Sequence, residues 1–394
     1  MAKIRWPFRS SQKSADAVAL VGGRWWSPEE IREQCIFVED GRAKICDATR
    51  LPSGVRRIDL DGLLVAPGLV DACHTLGEDC LPPLAPGPYT DRHRREEDII
   101  RLQPAPQTDV NKLPDSERLE AGVLSCLLDG VTCVASPEMP KGNPMPLRAP
   151  AATWIRSLLW DKDPAKAFAK ANGRPVLICA TDGTSRAAAR EMERLAEWKM
   201  LAPNSLIVGG AALNPADAAR LASAGAWLVW RPIVDQFVLG QTLPPDVFGT
   251  PGLRILIGGG SGRDGGRGLL AALQAADRLG YLSRERLLSA ATISGRQALQ
   301  VDTTVVSRET SSGGSKKSDV QNTFLADLSF WDASTLEEAI FEKGRSALQM
   351  VIVNGVAVLC RDKYLTKIGN PPHLRRVAGH DEFFSVVDQP ACFT

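Results

Sequence analysis

The stretch LDGLLVAPGLVDACHTLGED, residues 60–79, decides how the remaining chain is read. Its apolar run is interrupted at Pro67-Gly68, and short apolar runs bounded by turn residues read as buried strands. Behind the run come Cys73, His74 and Thr75, groups with chemistry to offer at the C-terminal end of a strand. Side chains alternate along a strand, so Cys73 and Thr75 share one side and His74 points to the other.

Upstream, residues 16–66 alternate apolar and polar positions and break at Gly, Asp and Pro, as in CIFVEDGRAKIC, which predicts a small β module. Downstream, from residue 117, helical and short apolar segments take turns: ERLEAGVLSCLLDG then VTCVAS, AAAREMERLAEWKM then SLIVGGAAL, NPADAARLASAG then AWLVWRP, and LRILIGGG before GRGLLAALQAADRLG. Strands alternating with helices of this length predict a parallel sheet, and so many repeats favour a closed (β/α) barrel, with functional groups at the C-terminal strand ends. FLADLSFWD and LQMVIVNGVAVLCRDKYL then return to β alternation.

The predicted organisation is therefore a β-sandwich built from residues 1–66 and 324–365, a barrel over 67–302, a flexible Ser/Thr/Gly/Lys-rich loop at 303–323 and a surface tail at 366–394. Residues 79–116 interrupt the rhythm with seven prolines and the charged run DRHRREED, which reads as a solvated face without legible chemistry.

Composition narrows the partners. With 394 residues, 44% hydrophobic and 24% charged, the chain can bury a sizeable core, and a net charge of +1 supplies no global field for nucleic acid or an anionic membrane. The opening residues lack an apolar leader core, and no run approaches membrane-spanning length, so a cytoplasmic location is expected. Nine cysteines without a C-x-x-C pair point to reduced, mostly buried thiols rather than a disulfide framework.

Taken with LLDGVTCVAS, SAATISGRQALQVD, LADLSFWD and VIVNGVAVL, the 60–79 segment resembles the amidohydrolase superfamily, in the branch of cytosine deaminases, chlorotriazine hydrolases and adenosylhomocysteine-type deaminases. The resemblance covers nearly the whole chain and implies a (β/α)8 TIM-type barrel with a composite β-sandwich. It also implies one divalent metal, held by two histidines after strand one, histidines on the middle strands and an Asp after the last. Metal-bound water is a usable nucleophile near neutral pH, which is why such sites need those donors.

This chain departs from that pattern at each position. Matched to the family's motifs, Cys73 and Thr75 stand for the first two histidines and Cys179 of CATD for the third, Gly209 falls where a fourth would stand, and Gly260 replaces the Asp. Asp182 takes the place of the acid/base, or else caps the helix that follows; a shifted match would bring Asp264 to the metal-ligating role. The four histidines, His74, His93, His373 and His380, do not rebuild a three-histidine site, and they are read as packed or surface groups. Cys73 and Cys179 are either zinc-binding thiolates or inert buried thiols. GGGSGRDGGRGLL either presents backbone N–H groups to an anion beside Arg263 and Arg267, or is the loop left by a lost acidic ligand.

Two functions compete. In the first, the protein is an amidohydrolase-like barrel without metal or cofactor that binds a small molecule at Thr75, Gly260, Arg263 and Asp264, or that pairs with another copy or an active homologue. In the second, it is a hydrolase or deaminase acting on non-peptide C–N bonds with an unusual zinc centre of Cys73, Cys179 and Asp182, with or without Asp264; a metal-free variant would use a thiol nucleophile with Asp182 as base.

Overall fold

The computed structural model describes residues 17–102, 112–138, 146–301, 323–369, 374–376 and 383–385. The predicted flexible loop lies outside these except for Thr323, as do most of the predicted tail, the first sixteen residues, His373 and His380.

The chain opens with β1 (Val18–Trp26), β2 (Ile31–Glu39), β3 (Arg42–Cys46), β4 (Arg56–Asp59) and β5 (Leu64–Pro67). There follow β6 (Leu69–Asp71), β7 (Val131–Val134), β8 (Thr153–Ile155), β9 (Val176–Ala180), β10 (Ser205–Gly209), β11 (Trp227–Trp230) and β12 (Arg254–Ile257). The last principal strands are β13 (Thr323–Leu325), β14 (Leu328–Trp331), β15 (Leu348–Val353) and β16 (Val356–Arg361).

Both ends of the chain meet in one sheet. β14 runs antiparallel to β5 with Leu328 opposite Pro67, and β13 pairs with β3. Among the described residues this sheet has eleven strands, ten in one hydrogen-bonded path and β4 beside β1. Pro67 closes β5 and Gly68 turns the chain into β6; a Cβ on Gly68 would lie 2.1 Å from Thr132 Cγ2, so only glycine lets this turn pass β7.

The remaining strands are parallel. β8 to β12 form a five-stranded sheet in chain order, and β6 pairs with β7. Their residues are buried almost throughout, as expected for strands covered on both faces. Further backbone bonds join the two sheets: the Ala72 N–H donates to Ile257 O (3.1 Å), and the Gly260 N–H donates to Cys73 O (3.0 Å). On the other flank Arg148 bridges to β7 through Val134 N to Arg148 O (3.0 Å) and Arg148 N to Thr132 O (2.8 Å). Val70, Cys133, Leu177, Leu206, Val229 and Leu256 pack together as one buried cluster among these strands.

Helices fill the connections, with local signals that explain their starts. Asn214 accepts from the backbone N–H of Ala216 and Asp217 while Asp217 reaches back to the Asn214 N–H, and Pro215 occupies the first turn. The long excursion after β6 holds α1 (Arg92–Leu102), and α2 (Asp115–Leu128) leads into β7.

Candidate functional site

A cavity of about 670 Å3 opens at the C-terminal ends of β6, β9, β11 and β12. Cys73, Thr75, Cys179, Asp182, Gly260, Arg263 and Asp264, all singled out in the sequence, line it together. His74 is absent from that lining, in keeping with strand parity.

The excursion after β6 is not a solvated face. Arg92, His93, Arg94, Glu96 and Glu97 line the cavity, Arg94 and Glu97 while staying exposed, and Arg95 is 1% exposed. Backbone bonds press this segment onto the strand ends: Arg92 N–H donates to Asp182 O (3.1 Å), Thr184 N–H to Thr90 O (2.7 Å) and Gly87 N–H to Phe237 O (2.8 Å). His93, expected at the surface, instead pairs through Nε2 with Ser157 Oγ at 2.7 Å and packs edge-on to Trp160.

Three arginines then occupy the space beside the two carboxylates. Arg231, immediately after β11, donates from Nη2 to Asp182 Oδ2 at 2.7 Å. Arg92 lies between the two acids, 3.4 Å from Asp182 Oδ2 and 3.7 Å from Asp264 Oδ2. Arg95 donates to Asp264 Oδ1 at 2.6 Å and to the carbonyls of Ala85, Leu84 and Arg263. Sequence reasoning passed over Arg231, yet a signal existed: WLVWRP places a charged residue directly after a buried strand, where barrel sites are built.

These contacts decide several open alternatives. Asp182 does not cap the following helix; Ser185 does, accepting from the Ala188 N–H at 3.1 Å. Asp264 is held below its ordinary pKa, because Arg92, Arg95 and Arg231 together outweigh a burial that would raise it. Burial pushes the Cys73 thiol up to about 12 and raises Cys179 too, against the opposing pull of Arg231 and Arg92. Both thiols are therefore protonated near neutral pH. Burial likewise pushes Asp235, 3.6 Å from Arg231, up to about 7.

Four N–H groups of the Gly-rich loop are spent within the fold. The N–H groups of Asp264 and Gly266 turn back to Ser261 O, that of Gly265 to Gly262 O, and that of Arg263 to Glu78 O. Arg267 is exposed and does not line the cavity.

His74 is a clamp inside the scaffold. Its ring lies 3.0 Å from Asp71 Oδ2 through Nδ1 and 3.2 Å from Asp79 Oδ1 through Nε2. Asp71 also accepts from the N–H groups of Cys73 (3.1 Å) and Gly259 (2.9 Å), so one buried carboxylate ties β6 to the β12 loop.

The metal implied by the resemblance does not fit these residues. Among the described residues no group of three His, Cys, Asp or Glu side chains converges to hold an ion. The geometry agrees: Asp182 is occupied by two guanidinium groups, whose positive charge opposes a cation, and Gly260 brings no donor. Gly260 adopts φ +76°, and a Cβ there would lie 2.2 Å from Val234 Cγ2. Gly260→Asp is accordingly expected to destabilise the protein by about 2–4 kcal/mol without gaining a metal, read by urea unfolding and elemental analysis. A variant as stable as the parent that takes up zinc would refute this.

No protein-family model and no curated protein sequence matches the chain. Solved structures do. They include an adenosine deaminase from Xanthomonas campestris with bound zinc, at TM-score 0.66 and 16% identity over 86% of this chain and 92% of that one. An atrazine chlorohydrolase from Arthrobacter aurescens complexed with zinc follows at TM-score 0.64 and 14% identity, covering 86% of this chain and 95% of its own. An aminofutalosine deaminase from Helicobacter pylori, in complex with methylthio-coformycin, matches at TM-score 0.60 and 13% identity over 87% of this chain and 100% of its own. The chain thus shares its fold with these deaminase and chlorotriazine hydrolase structures, the kind of protein its sequence motifs resemble. None of the helices in the described residues is long and apolar enough to cross a membrane.

Proposed function

We propose that this protein is a ligand-binding member of the amidohydrolase fold, in which an arginine–carboxylate network replaces the hydrolytic metal centre. In this reading β6 to β12 and the Arg148 segment close as a (β/α)8 TIM-type barrel around the cavity. The observation that carries the proposal is the 2.7 Å pair of Arg231 with Asp182. A guanidinium there neutralises the one carboxylate placed to act as acid/base, and its positive charge repels a divalent cation. The occupant is a small polar organic molecule, met by the Arg92, Arg231 and Arg263 guanidinium groups and the indole rings of Trp154 and Trp160.

The competing hydrolase built on Cys73, Cys179 and Asp182 would need ionised thiols and a free carboxylate, and the site favours neither. Protein expressed in zinc-supplemented medium is expected to carry far less than one metal per chain by elemental analysis, and to leave adenosine and chlorotriazines unhydrolysed. Stoichiometric zinc that disappears in both Cys73→Ser and Cys179→Ser would reverse the assignment.

A further inference from the structure

Outside the cavity, two cysteines face each other across neighbouring strands. β2 and β3 run antiparallel with Cys35 directly opposite Cys46, and their sulfurs are 3.5 Å apart. Residues directly opposed in an antiparallel pair have Cα atoms about 4.5–5.5 Å apart, within the range a disulfide spans. Closing the sulfurs to a bond of about 2.05 Å needs a side-chain adjustment and no shift in strand register. The two thiols differ in access: Cys35 is 6% exposed and Cys46 is half-buried at the end of β3. Burial, together with the neighbouring Cys46, pushes Cys35 up to about 12, so the more accessible Cys46 reacts first.

We propose that Cys35 and Cys46 form a reversible oxidation site that a peroxide converts into a cross-strand disulfide. The Cys46 sulfur attacks one peroxide oxygen; the O–O bond breaks, leaving Cys46 as a sulfenic acid and releasing hydroxide, which leaves as water with the Cys46 thiol proton. Cys35 then attacks the Cys46 sulfur; the S–S bond forms, the S–O bond breaks, and a second water carries away the Cys35 proton. Two thiols lose two electrons and the peroxide gains them, so the sum is two thiols and hydrogen peroxide giving a disulfide and two waters. A dithiol reductant reverses it by exchange. The crosslink closes a short loop of chain in the outer sheet, and by restricting the unfolded state it stabilises that hairpin.

The test uses the full chain, treated with hydrogen peroxide in slight excess and digested without reduction. A peptide joining Cys35 to Cys46 is expected, with a mass loss of about 2 Da that dithiothreitol restores. Titratable thiols in denaturant should fall from nine to seven (9 − 2). In Cys35→Ala the joined peptide should vanish and Cys46 should stop at sulfenic or higher acids. The proposal is overturned if the wild-type digest shows no Cys35–Cys46 peptide, or if two thiols are still lost reversibly in Cys35→Ala. The wild-type digest decides the matter even if the variant does not fold.

Discussion

Replacing Arg95 with Met is expected to destabilise the protein by about 3–5 kcal/mol, the cost of leaving a buried charge without its partner. Arg95 is 1% exposed, holds Asp264 at 2.6 Å, and satisfies the carbonyls of Ala85, Leu84 and Arg263. Without it, the cation in contact with Asp264 is the more distant Arg92 at 3.7 Å. The double variant Arg95→Met, Asp264→Leu should recover much of the loss, because removing both charges removes the desolvation penalty as well. Urea midpoints with unchanged slope would measure this. A single variant within about 1 kcal/mol of the parent would mean that the excursion rests on other contacts.

The stability contributed by His74 is expected to depend on pH in the alkaline direction. Burial alone would lower its pKa, but hydrogen bonds and charge from Asp71 and Asp79 outweigh it and push it up to about 10. An imidazole raised above its unfolded value near 6.5 stabilises the fold fully below that pH, and the contribution fades as pH climbs through about 10. Linkage at about 1.4 kcal/mol per unit makes this a few kcal/mol. His74→Gln should therefore be most destabilised relative to wild type near pH 6, with the gap closing towards pH 10. A gap that stays constant across that range would show the imidazole to be neutral.

The parts of the molecule legible in the sequence are those governed by local rules. The run at 63–70 is apolar on every face, so it had to be a buried strand, and Pro67-Gly68 had to divide it. Period-two geometry then separated Cys73 and Thr75 from His74 without knowledge of the fold. The rule that functional groups gather at C-terminal strand ends, joined to the superfamily resemblance, brought seven residues to one cavity.

The charged run 91–98 shows where such reading stops. A charged helix normally faces water, and nothing within it distinguishes Arg94, which does, from Arg95, which does not. The difference is made by Asp264, 169 residues away in the chain and 2.6 Å away in space. Asp182 is similar: its local context suits a helix cap or an acid/base equally, but Ser185 takes the cap and Arg231, 49 residues further on, pairs with the carboxylate.

By itself, then, the sequence determined the principal strands, the Gly68 turn and the side of the first barrel strand that Cys73 and Thr75 share, because apolar periodicity and backbone sterics act over a few residues. Only the tertiary structure decided what that cavity contains. Ion pairing depends on distance in space and on exclusion from water, and neither exists until β6, β9, β11 and β12 have brought Arg92, Arg95 and Arg231 against Asp182 and Asp264.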